Sequence, residues 1–157
     1  MLIVCVATVS AAAYAVIQWT TTATVVANPK VCFVAWTAPT VKLNSFDYAV
    51  NIFPSIKTID ENITHAVWNW DSSSHTAYMR INSITNNATN IDLVTTYVKY
   101  GNGTTVITIT WSSGGPTTYE EFTADGTTKY TIWTEITAKS GATGSSVITY
   151  DLKVENP

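Results

Sequence analysis

Charge is scarce in this sequence of 157 residues. Asp, Glu, Lys and Arg together make up 12% of the chain, and Arg80 is its only arginine. An average globular domain carries roughly 25% of these residues. The formal net charge is −3, so we expect the chain to lack the basic surface that binds the phosphates of nucleic acids. We therefore expect no nucleic-acid partner.

Cysteine and recognisable catalytic motifs are also scarce. The two cysteines, Cys5 and Cys32, provide neither a disulfide framework nor a CxxC metal motif. Cys32 lies between Val31 and Phe33, so we expect it to be a small buried side chain. The sequence contains no Ser-His-Asp arrangement, phosphate loop or carboxylate pair whose spacing indicates catalysis. We predict that the chain is not an enzyme and needs no cofactor.

The histidines and acidic residues offer little for a metal. His65 and His75 are ten residues apart, and no cysteine or close carboxylate completes a ligand set. Hydrogen-bonded or surface histidines are expected instead. Glu120, Glu121 and Asp125 form the densest acidic cluster and could offer oxygens to Ca²⁺. A solvated hairpin edge is the favoured interpretation, so no metal is predicted.

Threonine is abundant, with 28 residues, and 46% of the chain is apolar. Threonine is β-branched, so it favours strands, and its hydroxyl keeps an outer face hydrated without charge. A surface of this composition is typical of extracellular proteins. We therefore expect a strand-rich protein at the cell surface.

From Lys30 onward, short apolar runs alternate with turn residues, and Gly101-Asn102-Gly103 indicates a tight hairpin. This spacing predicts an all-β fold for residues 31–157, an immunoglobulin-like or jelly-roll β-sandwich of eight to ten strands. The predicted strands are Val31–Trp36, Val41–Phe53, Ile63–Trp70, Thr76–Ile81, Ile91–Tyr100, Thr105–Trp111, Tyr119–Thr123, Lys129–Ala138 and Val147–Val154.

An apolar segment precedes this domain. Leu2 to Ile17 carries no charge, and as a helix it would span about 24 Å, short of a bilayer core of ~30 Å. Ala13-Tyr14-Ala15 fits a signal peptidase site, so residues 1–15 are interpreted as a leader cleaved after Ala15. The alternative is a retained helix packed inside an assembly.

Residues 16–30 form a candidate donor strand with its linker. Polar and apolar residues alternate here with a period of two, which gives a strand one apolar face. Such a strand can pair within its own domain or with the open sheet edge of a neighbour. The candidate assembly residues on the apolar face are Ile17, Trp19, Thr21, Ala23 and Val25.

Three sequons predict N-linked glycans at Asn62, Asn87 and Asn102. Asn87 and Asn102 lie in turn-like contexts, as this modification requires. Glycans at these positions would shield the outer face of an exported protein.

The chain has six tryptophans. Trp68 and Trp70 are two residues apart and share one face of a strand, whereas Trp111 and Trp133 belong to separate strands. We expect these rings to pack in the core and between subunits, because aromatics bury large areas. Carbohydrate binding on exposed rings is the alternative.

The apolar leader ending in Ala13-Tyr14-Ala15, the Thr-rich strand Trp19–Val25 and the low-charge sandwich resemble archaeal thread and bundling-pilus subunits. More distantly, they resemble the TasA/camelysin biofilm-fibre proteins. This resemblance implies assembly by donation of an N-terminal strand to the next subunit. The chain is also similar to archaeal type IV pilins, in which Met1 to about Trp19 would be the helical core of a filament.

The expected function is a structural subunit of an extracellular filament that polymerises with itself. It would serve adhesion, biofilm formation or surface protection, with other cells or surfaces as partners. Two alternatives stay open: a monomeric carbohydrate-binding or adhesin module, and a viral coat or envelope protein of the same fold.

Overall fold

The computed structural model describes residues 30–35, 42–51 and 57–154. Among them, the only helix, α1, has four residues, so none is long and apolar enough to cross a membrane. The elements are β1 (Val31–Ala35), β2 (Lys42–Leu43), β3 (Ser45–Asn51), β4 (Lys57–Asn69), β5 (His75–Ile84), α1 (Asn87–Asn90), β6 (Ile91–Lys99), β7 (Thr105–Trp111), β8 (Glu120–Ala124), β9 (Lys129–Ala138) and β10 (Ser145–Val154).

The strands form two antiparallel sheets. The six-stranded sheet has the order β2-β1-β4-β9-β6-β7, and the four-stranded sheet has the order β3-β10-β5-β8. Across the interior, β1 contacts β10 and β7 contacts β8, so the sheets pack face to face. The predicted all-β sandwich is confirmed.

The predicted β6–β7 hairpin is confirmed as well. Gly103 has a φ of 87°, a conformation that glycine adopts readily. The Tyr100 N–H donates to the Thr104 carbonyl at 2.9 Å and closes the turn. On β7, Ile109 and Trp111 are buried in the core, as the alternation predicted.

Some predicted bounds were wrong. The run Val41–Phe53 is not one strand, because the chain changes sheets at Asn44, between β2 and β3. Leu43 and Phe46 are three residues apart and both buried, so the period of two is broken where the chain crosses. β4 begins at Lys57 rather than Ile63. The backbone of residues 57–61 pairs with β9, but charged residues in this stretch hide the apolar pattern that would have predicted a strand.

The Asp125-Gly126 turn is a crossover and not a hairpin, because it joins β8 in one sheet to β9 in the other. It packs against the β4–β5 crossover at the same end of the sandwich. A Cβ at Gly126 would collide with the carbonyl oxygen of Ser72, so only glycine fits without movement. The Thr127 N–H donates to the Asp71 carbonyl at 2.7 Å and joins the two crossovers.

A polar contact ties the two sheets together inside the core. The hydroxyl of Tyr150, on β10, lies 2.8 Å from the Thr96 hydroxyl and 2.9 Å from the Thr134 hydroxyl, on β6 and β9. Burial raises the pKa of Tyr150 to about 12, so the phenol stays protonated. Because each buried hydroxyl has a partner, the desolvation cost of these groups is offset.

His65 is buried among aromatic rings. Its side chain is 5% exposed, and its ring stacks on Phe46 at 4.6 Å between centroids. Phe46 also contacts Phe33 edge-on at 4.7 Å and Tyr150 at 5.0 Å. Burial lowers the pKa of His65 to about 4, so its imidazole is neutral near pH 7.

Candidate functional site

Among the described residues, no three His, Cys, Asp or Glu side chains meet as a metal-binding group. His75 lies 2.9 Å from Asp71, which also pairs with Lys30 at 3.3 Å. Hydrogen bonds from His75 and from the Ser73 N–H hold the pKa of the Asp71 carboxyl well below its usual range. No carboxylate was expected close to the histidines, and Asp71, four residues before His75, is one.

The acidic cluster does not converge on one point. Glu120 and Glu121 are consecutive on β8, so their side chains leave the sheet on opposite faces. Asp125 accepts a hydrogen bond from the Tyr100 hydroxyl at 2.8 Å. β8 is an edge strand, as a solvated edge requires, but it does not form a hairpin with β9.

The first candidate feature is the outer edge of β7, here called the β7 edge. Within the described ranges, no strand pairs with this side of β7. The strand has seven residues, TVITITW, and none is charged. Long, uncharged edges with free backbone groups are templates for another strand.

The other edge strands are shorter or charged. β2 has two residues, β3 carries Asp47, and β8 carries Glu120 and Glu121. Short strands and charged side chains are the devices by which proteins block unwanted pairing. Among the edges that the structure describes, β7 is therefore the best acceptor for an added strand.

The start of β1 lies across the sheet from the β7 edge. Three strands separate β1 from β7, which places the two about 19 Å apart. Lys30 is held at this position by its ion pair with Asp71 and by the Trp70 N–H, which donates to its carbonyl at 2.8 Å. The chain that precedes Lys30 therefore joins the sandwich away from the β7 edge.

The second candidate feature is an aromatic surface on the outer side of the six-stranded sheet. The rings of Trp68 and Trp70 stack at 4.0 Å between centroids, with 19° between their planes. They are half-buried and pack on the small cluster of Cys32, Val34 and Ala66. We call this surface the tryptophan face, formed by Trp68, Trp70, Tyr97, Trp133, Lys42, Lys99 and Lys129.

Each lysine of the tryptophan face lies over an aromatic ring. Measured from Nζ to the ring centroid, Lys42 is 5.1 Å from Trp70 and Lys129 is 5.4 Å from Trp68. Lys99 lies between two rings, 4.8 Å from Trp133 and 5.3 Å from Tyr97. Burial lowers the pKa of Lys129. Such cation–π contacts hold the ammonium groups over the ring faces.

The outer side of the four-stranded sheet differs in its charge. Its only arginine, Arg80, is paired with Asp151 at 2.9 Å. Asp47 accepts a hydrogen bond from the Thr149 hydroxyl at 2.7 Å. Lys153 lies over the rings of Tyr78 and Tyr119, but this sheet has no stacked tryptophan pair among its described residues.

The predicted assembly residues, together with Cys5, lie outside the described ranges. The assembly residues are Ile17, Trp19, Thr21, Ala23 and Val25.

Cys32 is 1% exposed and accepts a hydrogen bond from Trp70 Nε1 at 3.3 Å, so its predicted burial is confirmed. Burial raises the pKa of this thiol. Trp111 is buried in the core, as expected for packing.

The three sequons occupy different local structures. Asn102 is exposed in the turn between β6 and β7. Asn87 begins α1, directly after a turn. Asn62 lies in β4, between Glu61 and Ala66, where the register with β9 shifts. The predicted turn context is therefore present at Asn102 and adjacent to Asn87.

Comparison with known proteins assigns no family to this chain. No family model matches the sequence, and no curated protein matches it significantly. Among solved structures, the arabinose-bound α-L-arabinofuranosidase MgGH51 is similar, with 14% identity and a TM-score of 0.32. The match covers 88% of this chain but only 23% of that chain. At this TM-score the similarity carries no argument about either fold or function.

Proposed function

We propose that this chain is a structural subunit of an extracellular filament, assembled when residues 16–26 of one copy pair with the β7 edge of the next. The filament would serve adhesion, biofilm formation or surface protection. The observation that carries the proposal is the β7 edge, which is long, uncharged and unpaired in the described part of the chain. An added strand would satisfy its backbone groups.

The attachment point of the donor at Lys30 and the β7 edge lie on different sides of the sheet, which is the arrangement of a head-to-tail polymer. The donor segment enters the sandwich at Lys30, about 19 Å across the sheet from the β7 edge. Each copy therefore gives a strand on one side and receives one on the other. Head-to-tail contacts of this kind form open polymers when the rotation between copies does not close.

Cysteine cross-linking tests the acceptor directly. Thr108 is exposed near the middle of β7, and paired residues on neighbouring strands have Cβ atoms about 5 Å apart. In a Cys5→Ser background, Thr108→Cys combined in turn with Thr20→Cys, Thr22→Cys or Thr24→Cys should give disulfide-linked oligomers. Non-reducing gels of the assembled protein provide the measurement.

The matched control is Thr123→Cys, which is exposed on β8, the adjacent edge of the other sheet. It should cross-link at background level with the same three donor positions. Equal cross-linking at Thr108 and Thr123, or the absence of any assembly, would contradict the proposal.

The proposal includes N-linked glycans on the exported filament. Asn102 is the best acceptor by position, because it is exposed at a hairpin turn. We expect glycopeptide mass spectrometry of native filaments to find this asparagine occupied more often than Asn62, which lies within a strand. Unmodified asparagine at Asn62, Asn87 and Asn102 in native material would refute this part of the proposal.

A further inference from the structure

We infer that the tryptophan face binds an acidic polysaccharide, such as a chain of uronic acids, along the outer side of the six-stranded sheet. This inference does not depend on strand donation, since it concerns a face and not an edge. It rests on the proposed function only for the extracellular location, where such a polymer is present.

The rings provide flat apolar surfaces for sugars. Trp68, Trp70, Tyr97 and Trp133 are all half-buried, and each ring has a lysine ammonium group over it. The C–H face of a pyranose packs on an indole or phenol ring in the way other apolar groups do. Aromatic surfaces exposed on a sheet often mark a binding site.

The lysines supply positive charge, which would pair with an acidic sugar and which a neutral sugar would not need. The ammonium groups of Lys42, Lys99 and Lys129 lie over ring faces, about 5 Å from the centroids, so a sugar that stacks on a ring would displace the ammonium group to the rim of that ring. A carboxylate at C6 of a stacked uronic acid would lie at the rim of the ring, within reach of such a group. Two acidic residues lie near Trp133: Glu135 is two residues further along β9, and Glu61 on β4 is the register partner of Trp133.

The spacing of the rings favours a polymer over a single sugar. Trp68 is the register partner of Lys129, and Trp133 is four residues further along β9, about 13 Å away. Thr131 and Lys99 occupy the surface between them. An oligosaccharide that lies along β9 would therefore contact both aromatic clusters and pass the intervening lysine.

Single-stranded nucleic acid also stacks on aromatics, but it requires a positively charged groove along its backbone. The chain as a whole carries a net charge of −3, and its one arginine is paired with Asp151 on the opposite sheet. Three lysines among four rings therefore fit an acidic polysaccharide, with one charge per sugar, better than they fit single-stranded nucleic acid.

The test is isothermal titration of the full-length protein with a hexamer of galacturonic acid. The double variant Lys99→Gln with Lys129→Gln should weaken binding about tenfold or more, because two charge-assisted contacts are lost. Trp133→Ala should weaken it to a similar extent. The matched control is Lys153→Gln, which removes a lysine that lies over tyrosine rings on the other sheet and should change affinity less than about twofold.

Several outcomes would overturn the inference. These are no binding of the hexamer, equal binding of a neutral glucose hexamer, tighter binding of a single-stranded oligonucleotide, or equal losses in the Lys153 variant. Loss of polymerisation in the double lysine variant would instead assign the face to contacts between subunits. If the hexamer binds while cross-linking at Thr108 fails, the glycan inference stands and strand donation does not.

Discussion

Deletion of residues 16–26 should leave a folded chain that no longer polymerises. The apolar face of this segment carries Ile17, Trp19, Ala23 and Val25, and burial of the three larger side chains contributes roughly 5–9 kcal/mol before entropic costs. Loss of even 4 kcal/mol, as a rough lower figure, raises the concentration needed for assembly about a thousandfold. Sedimentation and electron microscopy of the purified protein measure the effect.

Single substitutions make this test specific. Trp19→Asp should block assembly, whereas Trp133→Asp changes the tryptophan face and should leave assembly intact. Equal effects of the two variants would count against a special role for the first strand. If filaments survive deletion of residues 16–26 but disappear on deletion of residues 1–15, a helical core replaces strand donation as the mechanism.

Acidification from pH 7 toward pH 4 should destabilise the fold by up to about 3 kcal/mol through His65 alone. Its pKa is about 4 in the folded protein, below the ordinary value of 6.5 for a histidine side chain. At pH values between 4 and 6.5, His65 binds a proton more readily in the unfolded chain than in the folded protein. The stabilisation from neutral, buried His65 is therefore complete above about pH 6.5 and is lost as the pH falls toward 4.

Urea unfolding followed by tryptophan fluorescence at several pH values measures this loss. The comparison is His65→Phe, which keeps an aromatic ring stacked on Phe46 but cannot be protonated. At pH 8 the two proteins differ only by the static cost of the substitution. A loss of stability between pH 7 and pH 4 that is equal in both proteins would show that His65 is not responsible.

Regular alternation allowed some strands to be predicted well from sequence. β7 and β9 have the predicted bounds, because apolar and polar residues alternate along most of each strand. The early start of β4 was hidden, since Asp60 and Glu61 interrupt the apolar pattern while the backbone still pairs with β9. The assignment of strands to sheets depends on contacts between distant segments, which a local pattern does not contain.

The candidate site was predictable only in part. The spacing of Trp68 and Trp70 predicted a shared face, and their stacking at 4.0 Å agrees with it. The lysines beside the rings come from β2, β6 and β9, which meet only in the folded sheet. Similarly, the open side of β7 follows from its place at the end of the strand order and not from its own residues.

The positions of Lys30 and β7 have a mechanical consequence for a filament built by strand donation. Tension would enter each subunit at Lys30 and leave through β7, so it would cross β1, β4, β9 and β6 in turn. The four-stranded sheet would lie outside this line of force. The weakest link would be the β1–β4 seam, which has five residue pairs, whereas β4–β9 has eight. Tensile strength would then be set by one seam inside the subunit rather than by the joint between subunits.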